Sequence, residues 1–149
     1  TNALTFGQIS KMYQYTTSDI RTKVSLNFAN MSEVQLHQLI RILASCRNVC
    51  AHGERLFSFF VNETIPDTLL HSYLNIPKKN GQYLYGKHNL FGVVIALYYL
   101  LEHEEFMCFE KELNNALHSV LKNCPHITKQ KLYSQMGFPE NWEDITAFV

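Results

Sequence analysis

The sequence predicts an all-α fold, a bundle of helices. Three observations carry this. Apolar residues recur three and four positions apart in several segments, the spacing of one helix face. Those segments open on Thr or Ser and close on Gly or Pro, which cap and stop helices. No segment shows the sustained apolar–polar alternation of a half-buried strand. The chain has 149 residues, 46% hydrophobic and 17% charged, with only 6 Gly and 4 Pro. That size and composition suit one globular domain over residues 1–149 with its own core.

The first helix follows Thr5 as N-cap, with Phe6, Ile9, Met12 and Tyr13 at helical spacing. The cluster Thr16-Thr17-Ser18-Asp19 breaks it, since these residues favour caps and turns. A second helix runs from about Ser18 to Asn27. Ser32 then opens a long helix near 32–52, with Gln35 placed to complete a capping box and Gly53 to stop it. Leu36, Leu39, Ile40, Leu43, Cys46 and Cys50 fall on one face and predict its buried stripe.

Residues 61–86 read as a connection, broken by Pro66, Pro77, Gly81 and Gly86, with room for a short helix at Asp67–Leu74. The next long helix covers 87–103. Its apolar run Leu90–Leu101 is short of the roughly twenty residues a membrane span needs, so it is the most buried helix of a bundle. Gly92 within it predicts a close helix approach. An amphipathic helix at 104–123 follows, ended by Pro125, then two short helices near Thr128–Met136 and Glu140–Phe148.

The formal net charge is zero, from 13 basic and 13 acidic residues, but it is unevenly spread. Residues 1–60 hold six basic side chains against three acidic, a net +3, and residues 102–149 hold four against eight, a net −4. A basic first part suits a polyanionic partner. Proteins that hold nucleic acid by charge alone are more basic overall. Cys46 and Cys50 read as small buried hydrophobes, and no secretory leader precedes the four cysteines, which points to a reducing, cytoplasmic setting. The cluster Cys46–Cys50–His52 lacks the paired spacing of a zinc site, so the sequence assigns no metal and no cofactor.

The informative stretch is Arg47-Asn48-Val49-Cys50-Ala51-His52-Gly53-Glu54-Arg55-Leu56-Phe57. At about 100° per residue, Arg41, Ser45, Asn48 and His52 form one polar ridge opposite the apolar face. Arg47 falls beside Leu43 and Cys50, within that apolar face. An arginine there must snorkel, pair with a carboxylate such as Glu102 or Glu110, or point into a pocket. His52 stands at a helix C-terminus, where the helix dipole favours the protonated imidazole that a general acid needs. The same dipole also makes His a common C-cap with no further role.

Arg47-Asn48-x3-His52 resembles the Arg-polar-x3–5-His motif of the HEPN superfamily. The longer string through Arg55-Leu56-Phe57 is similar to the signature of bacterial Abi-like (abortive-infection) proteins. The upstream Leu4-Thr5-Phe6-Gly7-Gln8-Ile9-Ser10-Lys11-Met12-Tyr13 resembles a block that precedes the signature in that family. The resemblance covers about Leu4–Phe60, and relatives carry a further helical segment before it, so the chain looks like the C-terminal part of a longer protein. Two departures stand out: Gly53 replaces a polar residue after His52, and Ser58 follows Phe57 where relatives have Asn.

The resemblance implies a HEPN-like bundle that cuts RNA without a metal, the 2′-hydroxyl attacking the neighbouring phosphate. It implies Arg47, Asn48 and His52 as catalytic residues. We expect Arg55 and Arg41 to bind substrate. It further implies a homodimer, because one histidine per chain cannot serve as both base and acid. A bacterial cytoplasmic setting and an antitoxin or phage-derived trigger as partner complete the expectation. Two other readings stay open: an RNA- or nucleotide-binding module without catalysis, and a helical interaction domain. The basic and aromatic residues Lys78, Lys79, Tyr83, Tyr85 and Lys87 read as a solvated loop or as a surface that stacks and holds RNA.

Overall fold

A computed structural model describes residues 5–29 and 31–148. Leu4, which opens the upstream block, and Thr1–Ala3 lie outside the described residues. The architecture is an all-α bundle with one small hairpin. Its helices are α1 (Phe6–Tyr15), α2 (Ser18–Ser25), α3 (Glu33–Ala51), α4 (Leu69–Tyr73), α5 (Leu90–Leu100), α6 (His103–Asn123) and α7 (Lys129–Met136). Short 3-10 turns stand at Leu56–Ser58 and Trp142–Ala147.

Capping chemistry sets the starts of the first and third helices. The Thr5 hydroxyl accepts from the Gln8 N–H and the Gln8 side chain accepts from the Thr5 N–H, and Ser32 with Gln35 repeats the arrangement. Arg21 ties the first three helices together. It pairs with Glu33 at 2.9 Å and donates to the Gln14 and Thr16 carbonyls. That hydrogen-bonded guanidinium holds the Glu33 carboxyl below its ordinary range.

The core centres on the crossing of α3 with α5. Phe91–Ala96 are all buried, as a continuous apolar run requires, and Leu39, Ile42 and Cys46 meet them from α3. A side chain at Gly92 would stand 3.1 Å from Ile42 Cδ1 and 3.2 Å from the Gly86 carbonyl, so the close approach does need glycine. The C-terminal part adds an aromatic cluster. Phe138 packs on Phe91, Tyr133 and the fully buried Trp142. Gly137 ends α7 with φ +75°, pressed so close that a Cβ would lie 2.0 Å from Asn89 Nδ2. Asn89 in turn caps α5, its Oδ1 accepting from the Gly92 and Gly86 N–H groups.

Three expectations need correction. The fifth helix begins at Leu90, not Lys87. The Val61 and Ile65 N–H groups donate to the His88 and Lys87 carbonyls, which holds that backbone extended. The connection also contains a hairpin, β1 (Lys78–Lys79) with β2 (Gln82–Tyr83), turned by Asn80-Gly81 with φ of 52° and 79°. Two positive φ values in an Asn-Gly pair are a type I′ turn. Finally, the buried stripe of α3 runs through Leu36, Leu39, Ile42 and Cys46, and Cys50 is exposed. The helix outruns the core in its last turn.

Beside the hairpin, His71 is wholly buried. Its Nδ1 accepts from the Thr68 N–H at 3.1 Å, and its Nε2 donates to the Gly86 carbonyl at 3.1 Å. Burial pushes its pKa down to about 4.

Candidate functional site

The end of α3 is built by a Schellman closure. His52 is the C-cap, Gly53 takes φ +66°, and the N–H groups of Gly53 and Glu54 donate back to the Cys50 and Val49 carbonyls. The left-handed φ of this turn favours glycine at position 53. The polar side chains of the last turn stand in solvent, while Val49 stays packed against the core.

Arg47, Asn48, His52 and Arg55 are all exposed. Of the fates open to an arginine on the apolar side, Arg47 reaches solvent, for its neighbour Cys46 is the last buried position of α3. Among the described residues Arg47 forms no ion pair with Glu102 or Glu110; its Nη1 donates to Asn48 Oδ1 at 3.3 Å. The guanidinium is thus swung onto the polar ridge, next to the amide. The Asn48 carbonyl accepts from the His52 N–H at 3.0 Å, so backbone links the amide residue to the histidine. Among the described residues nothing is hydrogen-bonded to the His52 imidazole.

Arg41 lies farther back on the same ridge and is already engaged, its Nη2 pairing with Glu63. Arg55 stands past the closure in extended backbone. It lines a cleft of about 520 Å³ with Val49, Gly53, Glu54, Ser58, Phe59 and Phe60. The structure thus brings Arg47 to Asn48, sets His52 one turn on, and puts Arg55 in the adjoining cleft. Arg41 is held apart by its carboxylate.

Sequence reasoning missed Glu63, Phe60 and His88. Phe60 and His88 stack at 5.4 Å, and His88 Nδ1 donates to the Glu63 carbonyl at 3.1 Å. No local pattern links residues this far apart in the chain. The basic–aromatic loop is largely tied into the fold. Lys87 pairs with Asp67 at 2.6 Å, Tyr83 stacks on His71 at 4.7 Å, and Lys78 covers the Tyr83 ring at 4.2 Å. Among the described residues no three His, Cys, Asp or Glu side chains converge as metal ligands, and no helix is long and apolar enough to cross a membrane.

No curated protein and no solved structure matches the chain. Residues 1–58, which carry α1 to α3 and the whole Arg47–Phe57 stretch, match the family model described as Abi-like protein. Over that part, and in the region that holds the candidate site, the chain is similar to the Abi-like proteins.

Proposed function

We propose that this chain is an abortive-infection-type effector of the HEPN superfamily, a metal-independent endoribonuclease working as a homodimer. The observation that carries the reading is the set of exposed polar groups at the end of α3. An arginine hydrogen-bonded to an amide stands one turn from a histidine with no structural partner among the described residues. These groups lie inside the segment that matches the Abi-like family.

The residue types suit phosphodiester transfer. An RNA 2′-oxygen loses its proton to a base and attacks the adjacent phosphorus. The bond to the 5′-oxygen breaks, that oxygen takes a proton from an acid, and a 2′,3′-cyclic phosphate remains. Negative charge builds on the phosphate oxygens during the step. The planar guanidinium of Arg47 matches them with two donors, and Asn48 holds it in place. His52 carries the proton, as base in one copy and as acid in the other. Arg55 holds the strand beside the cut, and Arg41 joins it if Glu63 lets go. The reading places the protein in the bacterial cytoplasm, restrained by an antitoxin or released by a phage-derived trigger.

Paired RNA strands differing in a single 2′-deoxy sugar at the cut position test this. The all-RNA strand is cut and the deoxy strand is not, because the nucleophile is gone. Sedimentation on the same sample gives a dimer. A strict monomer that binds RNA without cutting favours the binding-module reading, since each chain supplies only one motif histidine.

A further inference from the structure

Phe60 is 67% exposed, while its neighbour Phe59 is 5% exposed and packed in the core. Phe60 sits in bridged, strand-like backbone, where adjacent side chains point to opposite sides, so Phe59 enters the core and Phe60 faces out. The ring is held firmly. Phe60 bridges to Asn89, and the next N–H, from Val61, donates to the His88 carbonyl at 2.9 Å. One face of the phenyl lies on the His88 imidazole, 27° from parallel. That imidazole is fixed through its Nδ1, which must carry hydrogen because the Glu63 carbonyl can only accept. Phe60 forms a wall of the cleft that also contains Arg55 and the Gly53 turn.

We infer that Phe60 is a stacking platform for an unpaired nucleobase of the bound RNA strand, with Arg55 holding the phosphate beside it. This deepens the ribonuclease reading and rests on it for the identity of the strand. A flat apolar ring, backed on one side and beside a guanidinium, offers what a nucleotide presents: a π-face and an anionic linker. A second copy of this chain is the competing occupant. The cleft argues against it, for beside the half-buried Val49 its lining is Gly53, the polar or charged Glu54, Arg55 and Ser58, and the buried Phe59, and one exposed ring falls far short of a stable interface.

The test uses single-stranded RNA carrying 2-aminopurine, with the whole chain and its Phe60→Ala, Phe60→Leu and Phe60→Trp variants. The parent quenches the fluorophore. Alanine and leucine weaken binding about five- to 150-fold, the range for one lost base stack, and tryptophan restores it. In cleavage, alanine raises KM by a similar factor and leaves kcat within about twofold. Unchanged quenching and KM in Phe60→Ala overturn the inference. So does a dimer that Phe60→Ala splits into monomers, which makes the ring a contact between copies. If the parent cuts RNA and Phe60→Ala is indistinguishable, only the platform falls. If the parent quenches through Phe60 without cutting, only the ribonuclease reading falls. No binding by the parent sinks both.

Discussion

Lowering the pH charges a histidine that the fold holds neutral. His71 is fully buried, its Nδ1 accepts from the Thr68 N–H, and its Nε2–H donates to the Gly86 carbonyl. A second proton on Nδ1 would set one donor against another. Its pKa falls from 6.5 to about 4, chiefly because burial penalises the charged form. Lys87 adds to the drop, against the opposing pull of the Gly86 carbonyl and Asp67. The folded value lies below the unfolded one, so the unfolded chain takes up the proton first. The histidine's contribution is complete above about pH 6.5 and shrinks as the pH falls towards 4. At about 1.4 kcal/mol per unit, the fall from 6.5 to about 4 amounts to about 3 kcal/mol. Urea unfolding of the parent and of His71→Gln between pH 7.5 and 4.5 measures it. The variant is less stable at pH 7, but the parent loses more of its stability on acidification. Equal losses over that window refute the reasoning.

Other perturbations follow from the same geometry. Gly137→Ala forces a side chain into a φ of +75° and onto the Asn89 amide, and thermal melting registers a loss of about 2 kcal/mol or more. Gly92→Ala pushes against Ile42 and the Gly86 backbone and costs about 1–3 kcal/mol in the same assay. Arg47→Lys keeps the charge but loses the planar fork. RNA cleavage falls about 100- to 1000-fold while the melting curve stays in place, since the side chain is exposed. Glu63→Gln releases Arg41 from a half-exposed ion pair, so stability shifts by less than about 1 kcal/mol. RNA binding tightens, and its salt dependence steepens by about one phosphate contact.

Much of the bundle was legible because its signals are local. Thr5 caps α1 and Ser32 forms a capping box with Gln35 three positions on, both as predicted, and Thr5 adds a box with Gln8. The apolar run of α5 has to be buried wherever it packs, and Gly92 marks the crossing. The errors lie where a distant segment decides. Lys87 and His88 are drawn out of the helix by pairing with 61–65. The Asn80-Gly81 turn was visible, but two-residue strands are too short to alternate. The end of α3 misled because periodicity names a face without saying how far the core reaches along it. Cys46 is the last buried position, so Cys50 and Arg47 emerge into solvent. The motif itself was plain in the sequence. Its surroundings were not, for Phe60, Glu63 and His88 meet only through tertiary packing.

The most direct measurement of the central claim is cleavage of end-labelled single-stranded RNA in EDTA, by the parent and by His52→Ala, with the new ends identified. The parent alone cuts and leaves 2′,3′-cyclic phosphate and 5′-hydroxyl ends. Equal cutting by a folded His52→Ala protein, or none by a folded parent dimer, rules out His52 as the proton carrier of a ribonuclease.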